Sequence, residues 1–229
     1  MADSHAAGHS ALQHHFRDME QQKEASTLGM WLFLATEIMF FGALFTGYTV
    51  YRSQHAEDFA QASHRLNVWM GFGNTLVLIG SSLTMVLAVY AAQIGKRNLQ
   101  AVFLILTIIL GSAFLGVKAV EYKQKFDRNE IPGHNFVYEG KANTPEKIAE
   151  AKKFQQLFFC FYFTMTGVHA LHMVIGIVLL IILTVRACKG AFSPEYHSPL
   201  ELTGLYWHFV DIVWIFLFPL LYLIGFHEG

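Results

Sequence analysis

Three groups of ionisable side chains lie inside long apolar stretches of this sequence, and they are the residues best suited to do chemistry. Glu37 stands alone in "GMWLFLATEIMFFGALFTGY". His169 and His172 are one helical turn apart in "TGVHALHMVIG", and His208 and Asp211 have the same i, i+3 spacing in "YWHFVD". An ionisable group at bilayer depth costs about 2.5–3.5 kcal/mol on insertion scales, so such groups usually face a bundle interior and mark a function.

Each group has a chemical and a structural interpretation. Glu37 could transfer protons, or it could form hydrogen bonds between helices or with lipid. The His-x-x-His pair could supply half of a metal site, but zinc or iron needs further ligands. His208 and Asp211 would complete such a site only if two helices packed closely; otherwise they form a hydrogen-bonded pair that ties their helix to a neighbour. We favour the structural interpretations and predict no catalytic residue and no metal site.

The sequence also lacks residues for redox chemistry of its own. The apolar stretches contain three histidines, too few for the haem and copper ligands of an oxygen-reducing core. There is no C-x-x-C-H motif for covalent haem and no glycine-rich phosphate loop. Cys160 and Cys188 fall on one predicted helix, where a rise of ~1.5 Å per residue separates them by about 42 Å. We therefore expect no cofactor and no disulfide in this chain.

The elements that must position these groups are long apolar helices. The chain has 229 residues, of which 54% are hydrophobic and only 14% charged, whereas soluble domains carry about 25% charged residues. We predict an all-α integral membrane bundle, with residues 28–229 as the transmembrane domain and residues 1–27 as a flexible N-terminal tail. Five stretches reach the ~20 residues that a helix needs to cross a bilayer, at about 28–51, 68–92, 99–119, 156–185 and 204–225.

The connections add expectations about topology. Residues 52–67 and 93–98 are short connections, so the first three spans should be sequential antiparallel neighbours. Thr144 followed by Pro145 is a typical helix start, which would extend the fourth helix out of the membrane. Counting Lys and Arg in the connections places the N-terminus outside. The net charge of −1 offers no basic patch for nucleic acid.

Four blocks of this sequence resemble subunit III of the haem-copper respiratory oxidases, the cytochrome c oxidase subunit 3 family. In order, they cover about residues 28–225 as "WLFLATEIMFFGALFTGY", "GVKAVEY", "TGVHALHMVIG" and "YWHFVDIVWIFLFPLLYLIG". The resemblance implies a short bacterial member with five helices, without the first two helices of longer members. It also implies that the chain packs on subunit I, with haem and copper held in partner subunits.

The resemblance further implies roles for individual residues. In this family the helices form a V-shaped cleft that holds phospholipid. The residues expected to line that cleft or bind the lipid are Glu37, His172, Arg186, His197 and Glu201. Those expected to form structural polar pairs are His169, His208, Asp211 and Glu121. Lys118 departs from the family pattern, because an uncharged polar residue is expected at its position.

The function implied is that of a non-catalytic subunit of a proton-pumping terminal oxidase, which supports sustained proton uptake and oxygen reduction with cytochrome c as donor. Enzyme activity would belong to the complex, and the partners would be subunit I, subunit II, other subunits and phospholipid. The resemblance implies the bacterial inner membrane, with a cytoplasmic N-terminus and a periplasmic C-terminus. Alternatives are a quinol oxidase subunit III, a nitric oxide reductase accessory subunit, or a small transporter or proton channel using Glu37 and His172.

Overall fold

The chain folds as a bundle of long helices. A computed structural model describes residues 16–133, 136–138, 144–193 and 196–227, and within them no strand occurs. Five of the helices are long and apolar enough to cross a membrane, all except the short α2. The predicted five-span, all-α architecture is therefore confirmed. The helices are α1 (Met19–Gln54), α2 (Ala56–Ser63), α3 (Val68–Gln93), α4 (Arg97–Asp127), α5 (Pro145–Cys188) and α6 (Ser198–Tyr222), followed by a 3₁₀ turn (Ile224–His227).

The first helix begins earlier than its apolar stretch. Asp18 is the N-cap of α1, and its side chain accepts a hydrogen bond from the backbone N–H of Gln21 at 2.8 Å. Residues 19–27 are therefore helical, although a flexible tail was expected over 1–27; residues 1–15 of that tail lie outside the described residues. Hydropathy detects the part of a helix that lies in lipid, and it does not detect where the backbone hydrogen bonds begin.

The fourth span extends out of the membrane, as predicted from its start. Pro145 occupies the first helical position of α5, although the side chain of Thr144 makes no capping hydrogen bond. The helix has 44 residues, which at 1.5 Å per residue is about 66 Å. The hydrocarbon core of a bilayer is ~30 Å thick, so the amino-terminal part of α5 projects into the aqueous phase.

The sixth helix forms the centre of the bundle. α6 is the most buried of the five spans and packs against α1, α3 and α5, whereas α1 is the least buried. α3 and α4 pack along each other as expected for a short connection, but α1 lies mainly against α5 and α6. The prediction that the first two spans are direct neighbours was wrong. α2, inserted in their connection, packs on α5 and carries the chain across the end of the bundle.

Trp207 of α6 packs closely against glycines on two neighbouring helices. Its indole is fully buried, and its Nε1–H donates a hydrogen bond to Ser81 Oγ on α3 at 3.1 Å. A Cβ atom would lie 2.7 Å from the indole ring at Gly111 of α4, and 2.9 Å from it at Gly176 of α5. Small residues allow such close approach in membranes, where no exclusion of water drives helices together.

Gly176→Ala is expected to lower the stability of the folded chain by about 1–2 kcal/mol, because the rigid, buried ring of Trp207 must move to admit a methyl group. The measurement is the thermal unfolding midpoint of the detergent-solubilised protein. Gly116→Ala is the matched control, since the added methyl group has no neighbour within 4 Å. Equal midpoints for the two variants would contradict the close packing around Trp207.

Candidate functional site

The structure brings Glu37 of α1 and His172 of α5 together. His172 Nε2 lies 3.1 Å from Glu37 Oε2. His172 Nδ1 lies 2.9 Å from the carbonyl oxygen of Val168, and because a carbonyl only accepts, Nδ1 must carry a proton. The hydrogen bond between the two side chains is therefore donated either by Nε2 or by a protonated carboxyl group. Each of the two groups supplies the partner that the other needs at bilayer depth.

A cleft with a volume of about 400 Å³ opens beside this pair. Its walls come from α1, α5 and α6, and the two ionisable side chains remain partly accessible, at 19% for Glu37 and 14% for His172. The Tyr206 hydroxyl donates a hydrogen bond to the carbonyl of His172 at 2.9 Å, which fixes α6 against this part of α5. Apart from its polar pair the cleft is largely apolar; the other lining residues are Met30, Phe33, Ile175, Leu179, Thr203 and Tyr206.

His169 does not share this cleft. Its side chain is completely buried between Phe114 of α4 and Trp214 of α6, with ring centroids at 5.5 Å and 5.2 Å. Neither of its ring nitrogens has a hydrogen-bond partner among the described residues. The i, i+3 spacing places His169 and His172 on neighbouring parts of the helix surface, but the two rings diverge: one points into the bundle core and the other towards α1. The two imidazoles therefore cannot bind one metal ion together.

His208 and Asp211 line a different groove, between α3 and α6. His208 Nδ1 lies 2.7 Å from the hydroxyl of Ser82, so His208 ties α6 to its neighbour as the structural interpretation predicted. Asp211 is buried, and neither of its carboxyl oxygens has a hydrogen-bond partner within the described part of the chain. His208 therefore bonds to Ser82 and not to Asp211, which lies beside Ser82.

Glu121 belongs to a buried ionic cluster inside the bundle. Its Oε2 accepts a hydrogen bond from Lys118 Nζ at 2.8 Å, and its Oε1 accepts one from the Tyr222 hydroxyl at 2.6 Å. Lys118 Nζ also donates to Tyr222 at 2.7 Å and lies 4.7 Å from the ring centroid of Trp214. Lys118, noted in the sequence only as a departure from a pattern, is thus the cation that neutralises Glu121.

Sequence reasoning missed a second ionic cluster at the end of α4. Glu130 forms ion pairs with Lys125 at 2.6 Å and with Arg65 at 3.3 Å. The Lys125 ammonium group also donates a hydrogen bond to the backbone carbonyl of Arg65 at 2.6 Å. The available signal concerned Lys125 alone, which lies on one helix face with Lys118 and Glu121 at i, i+3 and i+7.

The five residues expected at the lipid cleft fall into two groups. Arg186 follows His172 by 14 positions on α5, a separation of about 21 Å along the helix, and its guanidinium lies 5.8 Å from the ring centroid of Phe192. His197 and Glu201 form their own pair, with Nε2 and Oε1 3.1 Å apart. These three residues lie at the bundle end where α5 finishes and α6 starts, away from the Glu37–His172 cleft. No group of three or more metal-ligating side chains occurs among the described residues.

Comparison with known proteins gives one consistent result. The family model described as cytochrome c oxidase subunit III matches residues 148–226. Cytochrome c oxidase subunit 3 of Bacillus subtilis (strain 168) is 30% identical over 198 residues, which cover 86% of each chain. The probable quinol oxidase subunit 3 of Staphylococcus saprophyticus is 30% identical over 86% of this chain and 88% of its own. Quinol oxidase subunit 3 of Bacillus spizizenii is 30% identical over 90% of this chain and 92% of its own.

Proposed function

This chain belongs to the cytochrome c oxidase subunit III family, and from that premise we propose that it is a non-catalytic, lipid-binding subunit that packs on subunit I. As a multi-pass membrane protein of this family it works with other subunits of a haem-copper oxidase. The haem and copper centres belong to those partners in this proposal. The contribution of this chain is to keep the catalytic subunit active, with sustained proton uptake, through many turnovers.

The observation that carries the proposal is the cleft beside Glu37 and His172. Its apolar walls suit an acyl chain, and its polar pair is neutralised within the protein, so a lipid tail can lie against it without burying an unpaired charge. If His172 lies near the bilayer centre, Arg186 stands about 21 Å away along α5, beyond the ~15 Å half-thickness of the hydrocarbon core. A phospholipid could then place its tail in the cleft and its phosphate near Arg186, where a guanidinium binds phosphate through charge-assisted hydrogen bonds. His197 and Glu201 would border the same headgroup region.

Cytochrome c is the electron donor we propose, with quinol as the second candidate. The relatives include a cytochrome c oxidase subunit and two quinol oxidase subunits at the same 30% identity. The donor site would lie on a partner subunit, so the discriminating measurement is on the complex. Oxygen uptake by the purified complex with reduced cytochrome c, and separately with a quinol, decides between them: activity with quinol alone would overturn our choice.

We further propose that the protein resides in a bacterial inner membrane with its N-terminus in the cytoplasm. The start of α1 and the start of α6 lie on the same side of the bundle, because Met19 and Pro199 line one small recess. The end of α6 therefore reaches the opposite side, which would be the periplasm. Protease accessibility of a C-terminal tag in spheroplasts tests this orientation, and a tag cleaved only after membrane disruption would contradict it.

Glu37→Ala tests the lipid-binding function. We expect the initial rate of oxygen reduction by the assembled complex to stay near the unmodified value, because no reacting group is removed. The lifetime during turnover should shorten several-fold, and fewer phospholipids should co-purify, because His172 loses its partner and the cleft wall loosens. The measurements are oxygen uptake over time and lipid phosphorus per haem.

Two matched variants sharpen that test. Glu37→Gln keeps a hydrogen bond to His172 and should behave nearly as the unmodified chain. Glu24→Ala removes an exposed carboxylate from the same helix and should change neither lifetime nor lipid content. Immediate loss of oxygen reduction in a haem-replete Glu37→Ala complex would contradict the non-catalytic role proposed for this residue.

A further inference from the structure

A second polar groove lies on the outside of the bundle, between α3 and α6. Its volume is about 410 Å³, and its polar floor is formed by Ser82, His208 and Asp211. The aliphatic side chains around this floor are exposed on the outer surface: Ile79, Val86 and Ile212 each keep 50% of their accessible area. The groove therefore opens at membrane depth, and its floor carries the polar groups.

Asp211 is the unusual member of this floor. Its exposed fraction is 3%, and neither carboxyl oxygen has a hydrogen-bond partner among the described residues. The Ser82 hydroxyl lies beside it but hydrogen-bonds with His208 Nδ1 at 2.7 Å. Even after rotation, that hydroxyl has one proton and could serve only one of the two oxygens. The described part of the chain supplies no second donor to this carboxyl group.

Comparison with Glu37 shows what kind of donor is missing. Glu37 already has a partner in His172 at 3.1 Å, so its cleft can face lipid. Asp211 lies near the middle of α6. At that depth the bilayer holds no water, and an acyl tail has no hydrogen-bond donor. Ionisable groups inside membranes are normally paired, and side chains that hydrogen-bond across helices hold membrane bundles together. The groove is therefore incomplete without a polar group brought by another membrane-embedded chain.

We propose that this groove is the docking site for a transmembrane helix of another oxidase subunit, which places a hydrogen-bond donor side chain against Asp211. The inference rests on the proposed function, because it requires the chain to sit in an oxidase complex. The occupant is an apolar helix that carries one hydroxyl, amide or indole donor at the depth of Asp211. Its aliphatic residues pack on Ile79, Val86 and Ile212, and the donor determines the register of the two subunits.

Asp211→Leu in the tagged full chain tests the proposal through two readouts of opposite sign. The haem recovered per tagged chain should fall about threefold to thirtyfold, the range for one interhelical hydrogen bond in a membrane. The unfolding midpoint of the chain purified away from its partners should stay equal or rise, because an unpaired buried acid is removed. If Asp211 stabilises only this chain, the variant should instead have a lower unfolding midpoint and unchanged haem recovery. That result would overturn the proposal.

Two further variants separate loss of the acceptor from a general effect of substitution. Asp211→Asn retains an oxygen that accepts a hydrogen bond, so it should keep most of the haem recovery. Ser112→Leu removes an exposed hydroxyl on α4 that does not line the groove, and it should leave both readouts unchanged. Haem recovery that falls as far for Ser112→Leu as for Asp211→Leu would contradict a specific docking site.

Photo-crosslinking in the otherwise unmodified complex identifies the occupant. Ile212 is replaced by p-benzoylphenylalanine, and the same probe at Ile109, an exposed α4 residue outside the groove lining, is the control. A crosslink from position 212 to a haem-bearing membrane subunit supports the proposal. Crosslinks to lipid alone, or to a second copy of this chain, overturn it.

The proposed function and the docking site can fail separately. If no oxidase subunit co-purifies with the unmodified chain, the proposed function has failed. If such subunits co-purify but the probe in the groove labels only lipid, the docking site alone has failed.

Discussion

Glu121→Ala is expected to lower the stability of the subunit by about 3–5 kcal/mol, the range seen when one partner of a buried ion pair is removed. Lys118 would then have no carboxylate partner deep in the bundle, where its side chain is only 5% exposed. The Tyr222 hydroxyl and the surrounding aromatic rings contact the Lys118 ammonium group, but they carry no negative charge to balance it. We expect low yield of the assembled oxidase and a large fall in its thermal unfolding midpoint.

The cost arises because Glu121 is the only carboxylate that contacts Lys118 among the described residues. Its two oxygens are both used, one by the ammonium group and one by the Tyr222 hydroxyl at 2.6 Å. The cluster joins α4 to the end of α6, so losing the carboxylate removes two hydrogen bonds and the acceptor of two buried donors. A buried donor without an acceptor lowers stability more than replacing both the donor and its acceptor with apolar groups.

The double variant Lys118→Met with Glu121→Leu separates these two effects. Replacing both members of a buried pair with apolar residues of similar size is often neutral, so we expect much of the lost stability to return. Gln124→Ala, at an exposed position of the same helix, serves as the control for alanine substitution. A single variant Glu121→Ala with an unchanged midpoint would show that the cluster carries no net stability.

The spans were predictable because lipid imposes a simple requirement on sequence. A helix in hydrocarbon must be apolar for about 20 residues, so hydropathy alone located all five spans near their observed positions. The ends were not predictable in the same way. α1 begins at Met19 and α4 continues to Asp127, because polar residues outside the lipid still satisfy their backbone hydrogen bonds by remaining helical.

The site was less predictable, because residue spacing along one helix does not show which neighbouring helix packs against each face of it. Three residues of an α-helix correspond to a rotation of about 300°, which leaves His169 and His172 about 60° apart on the helix wheel. That difference is enough to send His169 towards Phe114 and His172 towards Glu37. The Lys118–Glu121 spacing was visible in the sequence, but its third member, Tyr222, comes from the far end of the chain.

Glu130→Gln is expected to lower the stability of the connection after α4 against local opening by about 3 kcal/mol, at the low end of the range for breaking a buried ion pair. Glu130 is 3% exposed and neutralises two cations, Lys125 at 2.6 Å and Arg65 at 3.3 Å. The amide variant keeps the size of the side chain and removes its charge. Lys125 and Arg65 would then repel each other across a site that Phe136 and Phe159 close on one side.

Hydrogen exchange should show where this variant acts. The Glu130 amide donates to the carbonyl of Lys125 at 3.1 Å, and the Val137 amide donates to that of Asn129 at 3.4 Å. Both amides should exchange faster in Glu130→Gln, because the ion pairs hold this connection against the end of α4. Asp127→Asn removes an exposed carboxylate three positions earlier and should leave both rates unchanged. Equal exchange in the two variants would refute an anchoring role for Glu130.

The two ionic clusters should therefore fail differently, although each is built on one buried carboxylate. The Glu130 cluster borders an open recess of about 630 Å³, which is lined by Arg65 and Glu130 together with Gln61, His64 and Arg128. Water in this recess can solvate Arg65, so the damage should stay within the connection after α4. Lys118 is buried inside the bundle, and the loss of its carboxylate partner should destabilise the whole bundle. We expect the Glu130→Gln oxidase to assemble, with faster amide hydrogen exchange only in the connection after α4. We expect the Glu121→Ala oxidase not to assemble.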